Sequence, residues 1–138
     1  MGLKETCDKH LKNPDLLARD GQTFCNVFVH RVLSDLGYTK FTGFLANQIF
    51  DFCSQTPDWV LVNIDDSYDL CHKDIFVLAA ERGAPHGHVA IVYPSKLNTY
   101  SGKWSRYAPQ VASVGKKNGI MGLNFAFQEI PKFFMLNV

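Results

Sequence analysis

The sequence predicts an α+β fold in which N-terminal helices cover one face of an antiparallel twisted β-sheet, and three observations carry that expectation. Apolar residues recur at helical spacing from Phe24 to Leu36 and again between residues 44 and 55. Beyond Pro57 the texture changes to short runs rich in β-branched and aromatic residues, with Gly and Pro marking the turns between them. The helical half precedes the strand half, an order that suits α+β rather than alternating βαβ units.

The first element is a polar helix, roughly Lys4 to Leu11, followed by KNPDLLARDGQ, where Pro14 and the Asp20-Gly21 pair punctuate the chain. Phe24, Phe28, Val32 and Leu36 then repeat every four residues with Val29 and Leu33 beside them, which predicts a helix over 24–36 that Gly37 stops. Leu45, Ile49 and Phe52 align on one side of a second helix over 44–55, ended by Pro57 and packed on the first. The runs WVLVNI, DIFVLAA, HVAIVY, QVASV and FFMLNV read as strands, and ERGAPHG, YPSKLNTYSGK and KKNGIMG as the turns between them. None of these turns is rich enough in Gly and Pro to be an interdomain linker. The 138 residues are therefore expected to form one domain spanning 1–138, long enough to bury a core.

Composition narrows the function classes. A net charge of +1 and a pI near 7.7 supply no long-range field to draw the protein onto nucleic acid or an anionic membrane. No apolar run is long enough for a signal-peptide core or a membrane span, so the chain reads as a cytosolic product without membrane insertion. Cys7, Cys25, Cys53 and Cys71 are spaced by 18, 28 and 18 residues, with no CxxC pair to suggest a zinc knuckle or a redox motif. No metal site is expected, and the redox state of the thiols is open.

Of the four, Cys25 has the setting of a nucleophile. With Thr23 as cap it occupies the second position of the 24–36 helix, where free backbone N–H groups and the positive end of the dipole lower a thiol pKa. The same N–H groups can bind an oxyanion. A small buried hydrophobe is the alternative role for any such cysteine. Cys53 and Cys71 lack that setting, and Cys7 lies near a terminus. Among the histidines, His10 is expected to be solvated on the leading segment, and His30 points away from Cys25 on the same helix. His72 falls in a polar CHKD turn and His86 on a loop. His88 opens the strand HVAIVY, directly after Gly87, and can face the start of the Cys25 helix.

The TFCNVFV helix start, the LANQIFD helix, the GHVAIVY strand 63 residues after the cysteine and the VASVGKKNG strand-turn together resemble the NlpC/P60 branch of the papain-like fold. Within that branch they look most like small cell-wall amidases, including phage lysins and type VI secretion amidase effectors, with CHAP domains more distant. The resemblance covers residues from about 20 to the C-terminus. It implies a papain-like core in which Cys25 is the nucleophile and His88 its base. The third catalytic position of the family is a polar residue on the following strand that orients the imidazole. Gln110 is preferred for it, through its amide carbonyl, with Ser113 on the opposite face, Asn118 in the turn, or a backbone carbonyl as alternatives.

The reaction implied is hydrolysis of a peptidoglycan stem-peptide amide through a thioester, with no cofactor. Asn26 and Trp104 are candidate substrate-binding residues, with Asp20, Tyr100 and Tyr107 nearby in sequence, and a groove is expected between the ERGAPHG and YPSKLNTYSGKW loops. A wall substrate lies outside the cytoplasmic membrane, so the resemblance also implies a secretion or other delivery partner, and an immunity protein where the producer must be protected. An acyltransferase or deamidase with the same Cys-His pair, or a noncatalytic wall-binding module, are the rival functions.

Overall fold

The structure, a computed structural model, describes residues 2–95 and 98–138. Helix α1 (Leu3–Leu11) buries Leu3, Thr6, Cys7 and His10, one stripe at helical spacing, and Asp74 accepts its first backbone N–H at 2.9 Å. A short 3₁₀ turn at Pro14–Leu16 follows. Helix α2 (Cys25–Asp35) sinks Phe28, Val29, Val32 and Leu33 completely, and Gly37, with φ of 97°, turns the chain away beyond its end. Helix α3 (Ala46–Gln55) buries Ala46, Ile49 and Cys53 and stops two residues before Pro57. Both helices lie within the ranges the periodicity predicts.

The strands are β1 (Trp59–Val62), β2 (Val77–Glu81), β3 (His88–Tyr93), β4 (Thr99–Ser101), β5 (Arg106–Ala108), β6 (Gln110–Ser113), β7 (Gly119–Gly122) and β8 (Lys132–Leu136). Among the described residues they form a six-stranded sheet in the order β1-β8-β2-β3-β6-β7 and a separate β4-β5 hairpin, with every pairing antiparallel. Central β2 and β3 are buried on both faces, which is why their sequences are continuous apolar runs rather than alternating ones.

Register assigns the faces, because directly paired residues point the same way. Ile91, Leu78 and Phe134 share one face, and Phe50 of α3 packs on Phe134 there with ring centroids 5.9 Å apart. Tyr93, on that face too, donates its hydroxyl to Asp8 of α1 at 2.7 Å. Helix α2 touches α1, α3 and β3. The expected α+β arrangement, N-terminal helices against an antiparallel sheet, is therefore present. His88 and Ala90 point to the opposite face.

Three segments differ from expectation. DDSYDLCHKD is mostly helix α4 (Ile64–His72), started by the Asn63 side chain, which accepts the Asp66 N–H at 2.8 Å; His72 ends a helix instead of lying in a turn. The YPSKLNTYSGK stretch contains β4, although Lys96 and Leu97 of that loop lie outside the described residues. KKNGIMG supplies the edge strand β7, followed by the short helix α5 (Leu123–Ala126).

Candidate active site

Cys25 is the first residue of α2. Phe24, not Thr23, occupies the cap position and provides no side-chain cap, so the thiol sits one position earlier in the helix than the sequence suggests. Just upstream, Arg19 and Gln22 exchange backbone hydrogen bonds at 3.1 and 2.8 Å around Asp20 and Gly21, both at positive φ, a tight turn that delivers the chain to the helix start. Cys25 is 6% exposed. Burial raises its pKa, and the backbone N–H groups of Val89, Asn26 and Cys25 itself pull against that rise. The expected lowering by the helix start is thus present but outweighed by desolvation. Of these, Val89 is the residue that follows His88 on β3, the strand against which α2 packs.

His88 precedes Val89 and opens β3. Its Nε2 lies 2.9 Å from Ser113 Oγ, and its ring packs on Phe127 with centroids 5.0 Å apart. Burial pushes its pKa down to about 4. The resting pair is consequently a neutral thiol and a neutral imidazole rather than an ion pair.

Ser113, not Gln110, meets the histidine. Gln110 pairs with Tyr93, five residues along β3 from His88 and on the other face, about 17 Å away at strand spacing. Ser113 lies one step beyond the Ile91–Ala112 pair, on the face that carries His88. Asn118 is committed elsewhere: its Oδ1 accepts the Gly115 N–H at 3.0 Å and its Nδ2 donates to the Leu16 carbonyl at 2.8 Å. That clips the β6–β7 turn to the N-terminal segment.

Two cavities flank the pair. One, about 470 Å³, opens on Cys25 and is bordered by Gln22, Asn26, Asn47, Gln48 and His86. The other, about 660 Å³, opens on His88 and Ser113 and is bordered by Lys116, Lys117, Met121 and Phe125. Thr23 lines both. Part of the ERGAPHG loop thus forms a cavity wall, as expected of it.

The other sequence-selected residues fare differently. Asn26 lines the Cys25 cavity, but its Nδ2 donates to the Phe44 carbonyl at 2.9 Å, so it braces the α2–α3 connection. Trp104, with Tyr100 and Tyr107, belongs to the β4-β5 hairpin, which Arg106 ties to Asp65 of α4 at 2.8 Å. The hairpin follows the end of β3 opposite His88, and Trp104 borders neither cavity. His10 is buried, not solvated, with Nε2 2.7 Å from Asp35 Oδ2, and Cys7 is fully buried despite its place near the terminus.

Asn47 was not legible as a site residue. It accepts the Gly83 N–H at 3.2 Å and donates to the Gly83 carbonyl at 2.9 Å, pinning the loop that enters β3. Its Oδ1 also closes on Gly87, where an added Cβ would collide with it and with the Glu81 carbonyl, both at 2.4 Å. Gly87 before His88 is therefore required by a close approach. The Asn lies inside the quoted LANQIFD segment, but only the fold shows its partner.

All four cysteines are free thiols. Among the described residues no three His, Cys, Asp or Glu side chains converge to hold a metal ion, and no helix is long and apolar enough to cross a membrane. No family model matches the chain, and a search of curated proteins finds no significant match.

Proposed function

We propose that the protein is a cysteine amidase of NlpC/P60-like, papain-like architecture that hydrolyses an amide bond in peptidoglycan stem peptides. The observation that supports this most is that His88, at the start of β3, meets Ser113 while Cys25 starts α2, the helix that packs on β3. Ser113 then fills the role of the family's third residue. With Nε2–H donating to Ser113 Oγ, Nδ1 of His88 keeps its lone pair and is the atom that takes the thiol proton.

The sulfur attacks the amide carbonyl, and the N–H groups at the start of α2 stabilise the oxyanion. Collapse breaks the C–N bond as His88 hands its proton to the departing amine. A water molecule, deprotonated by His88, attacks the thioester; the acid leaves and the sulfur recovers its proton from the imidazole. The enzyme so described acts on the wall, in the periplasm or outside the cell, after delivery by a partner.

Release of new amines from purified muropeptides by the native protein, and its loss in a folded Cys25→Ala, is the expected result. No release by a folded native protein under reducing conditions, across peptidoglycans of differing stem peptides, would overturn the proposal.

A further inference from the structure

The two cavities differ in charge. Around Cys25 the polar walls are Thr23, the amides of Gln22, Asn26, Asn47 and Gln48 and the His86 imidazole, while around His88 two lysines stand at the mouth and, among the described residues, no acidic one lines the space. Neither Lys116 nor Lys117 takes part in an ion pair among the described residues, and both are exposed. A chain with a net charge of only +1 therefore concentrates two uncompensated ammonium groups at one mouth.

The turn that carries them is held in place. Asn118 closes it through the Gly115 N–H and ties it to the Leu16 carbonyl, so the lysine stems start from a fixed backbone. Opposite them the wall is apolar: Met121, Ala126 and Phe125, the last 77% exposed although it is a large aromatic. A cavity with a basic mouth and an apolar wall fits a short organic chain that ends in a carboxylate.

We propose that this cavity is the subsite for the amine-leaving portion of the substrate, and that it selects leaving groups bearing a carboxylate through Lys116 and Lys117. The assignment of side rests on the amidase reading: His88 protonates the departing nitrogen, so the fragment attached to that nitrogen lies in the His88 cavity. The acyl fragment lies over the neutral amides at Cys25. Substrates whose leaving fragment is neutral or cationic lose that contact.

Binding tests the subsite without turnover. The probes are the dipeptide alanyl-alanine and its C-terminal amide, titrated into Cys25→Ala protein and followed by backbone amide shifts. The dipeptide carboxylate should perturb Gly115, Lys116, Lys117 and Ala126 and bind roughly tenfold more tightly than the amide. Lys116→Gln combined with Lys117→Gln should abolish the preference, and the pair of Lys→Arg changes should retain it. Equal binding of the two probes, no shifts from either, shifts confined to the Cys25 cavity, or a preference that survives the double Gln change would each overturn the proposal. Carboxylate-selective binding with no Cys25-dependent amine release from muropeptides would instead leave the subsite standing and remove the amidase reading.

Discussion

Cys25 and Cys71 sit at opposite ends of their helices, and each has a histidine to be weighed with it: His88 at the start of β3, and His72 as the next residue in the chain. Cys71 is the penultimate residue of α4, 3.5 Å from His72 Nδ1, and its thiol donates to the Tyr68 carbonyl at 3.2 Å. His72 is itself occupied, with Nδ1 2.7 Å from the Tyr68 carbonyl and Nε2 2.8 Å from that of Ser95. Cys25 begins α2, where backbone N–H groups pull its pKa down against burial, and it borders a cavity. A thiolate at Cys71 would face the negative end of a helix; at Cys25 it faces the positive end. Proximity of Cys to His alone would select Cys71 and His72, whereas helix polarity and access to a cavity favour Cys25.

The largest effect that follows is on turnover. Cys25→Ala should lower the rate of amide hydrolysis by at least about 10⁴-fold, as loss of a covalent nucleophile does, while Cys71→Ala should change it by less than about threefold. Steady-state amine release from muropeptides measures both. A folded Cys71→Ala without activity would reverse the comparison.

A stability effect comes next, and it belongs to His88. Its pKa is about 4 in the folded protein and ordinarily 6.5. Between those values the unfolded chain binds a proton that the native state does not, so stability falls as pH drops from 6.5 towards 4. The loss should approach ~3 kcal/mol, and His88→Gln should remove that part of the pH dependence. Asp35, Asp51 and Asp58 are held below the usual carboxylate value by their basic partners and act only at lower pH. Denaturant melts at pH 7, 5.5 and 4.5 separate the two windows. A flat profile between 7 and 4.5 would mean that His88 is protonated in the native state. Iodoacetamide sharpens the same point, since alkylation of Cys25 should be slow at pH 6 and rise only on the alkaline side, where its raised pKa is approached.

Ser113 carries a smaller effect. Ser113→Ala should lower kcat by roughly ten- to a hundredfold, since its hydroxyl orients the imidazole. Gln110→Ala should stay within about twofold. A larger loss from Gln110 than from Ser113 would show that the orienting contact is made elsewhere in the working enzyme.

These residues also mark how far the sequence could be read. Helix α2 was legible because its four-residue repeat has no competing period, and β2 and β3 because central strands are unbroken apolar runs. Helix α4 was not, since its buried stripe is Ile64, Ser67 and Cys71, two of them too small or polar to register as a hydrophobic face. Alternation placed Gln110 and Ser113 on opposite faces but could not say which face His88 shares, which depends on register across two turns. Local sequence likewise supplied the helix-start contribution to the Cys25 pKa but not the larger burial contribution, which comes from residues distant in the chain.

The smallest predicted effect tests the same comparison from the side of stability. Cys71 is 1% exposed, pushed up to a pKa of about 12 mainly by burial, and packed between α4 and the sheet with its thiol bonded to Tyr68. Removing its sulfur leaves a small void while the Tyr68 carbonyl keeps His72 as a partner, so Cys71→Ala should cost about 1–2 kcal/mol. Cys25 borders a cavity, so the volume that Cys25→Ala vacates merges with existing open space, and its cost should be below about 1 kcal/mol. The two substitutions therefore form a crossed pair, one silent in turnover and felt in the urea midpoint, the other the reverse. Urea melts of both variants at neutral pH under reducing conditions read the difference directly. If Cys25→Ala proves the more destabilising of the two, its thiol is a packing residue first, and the contrast between the two helix ends loses its functional meaning.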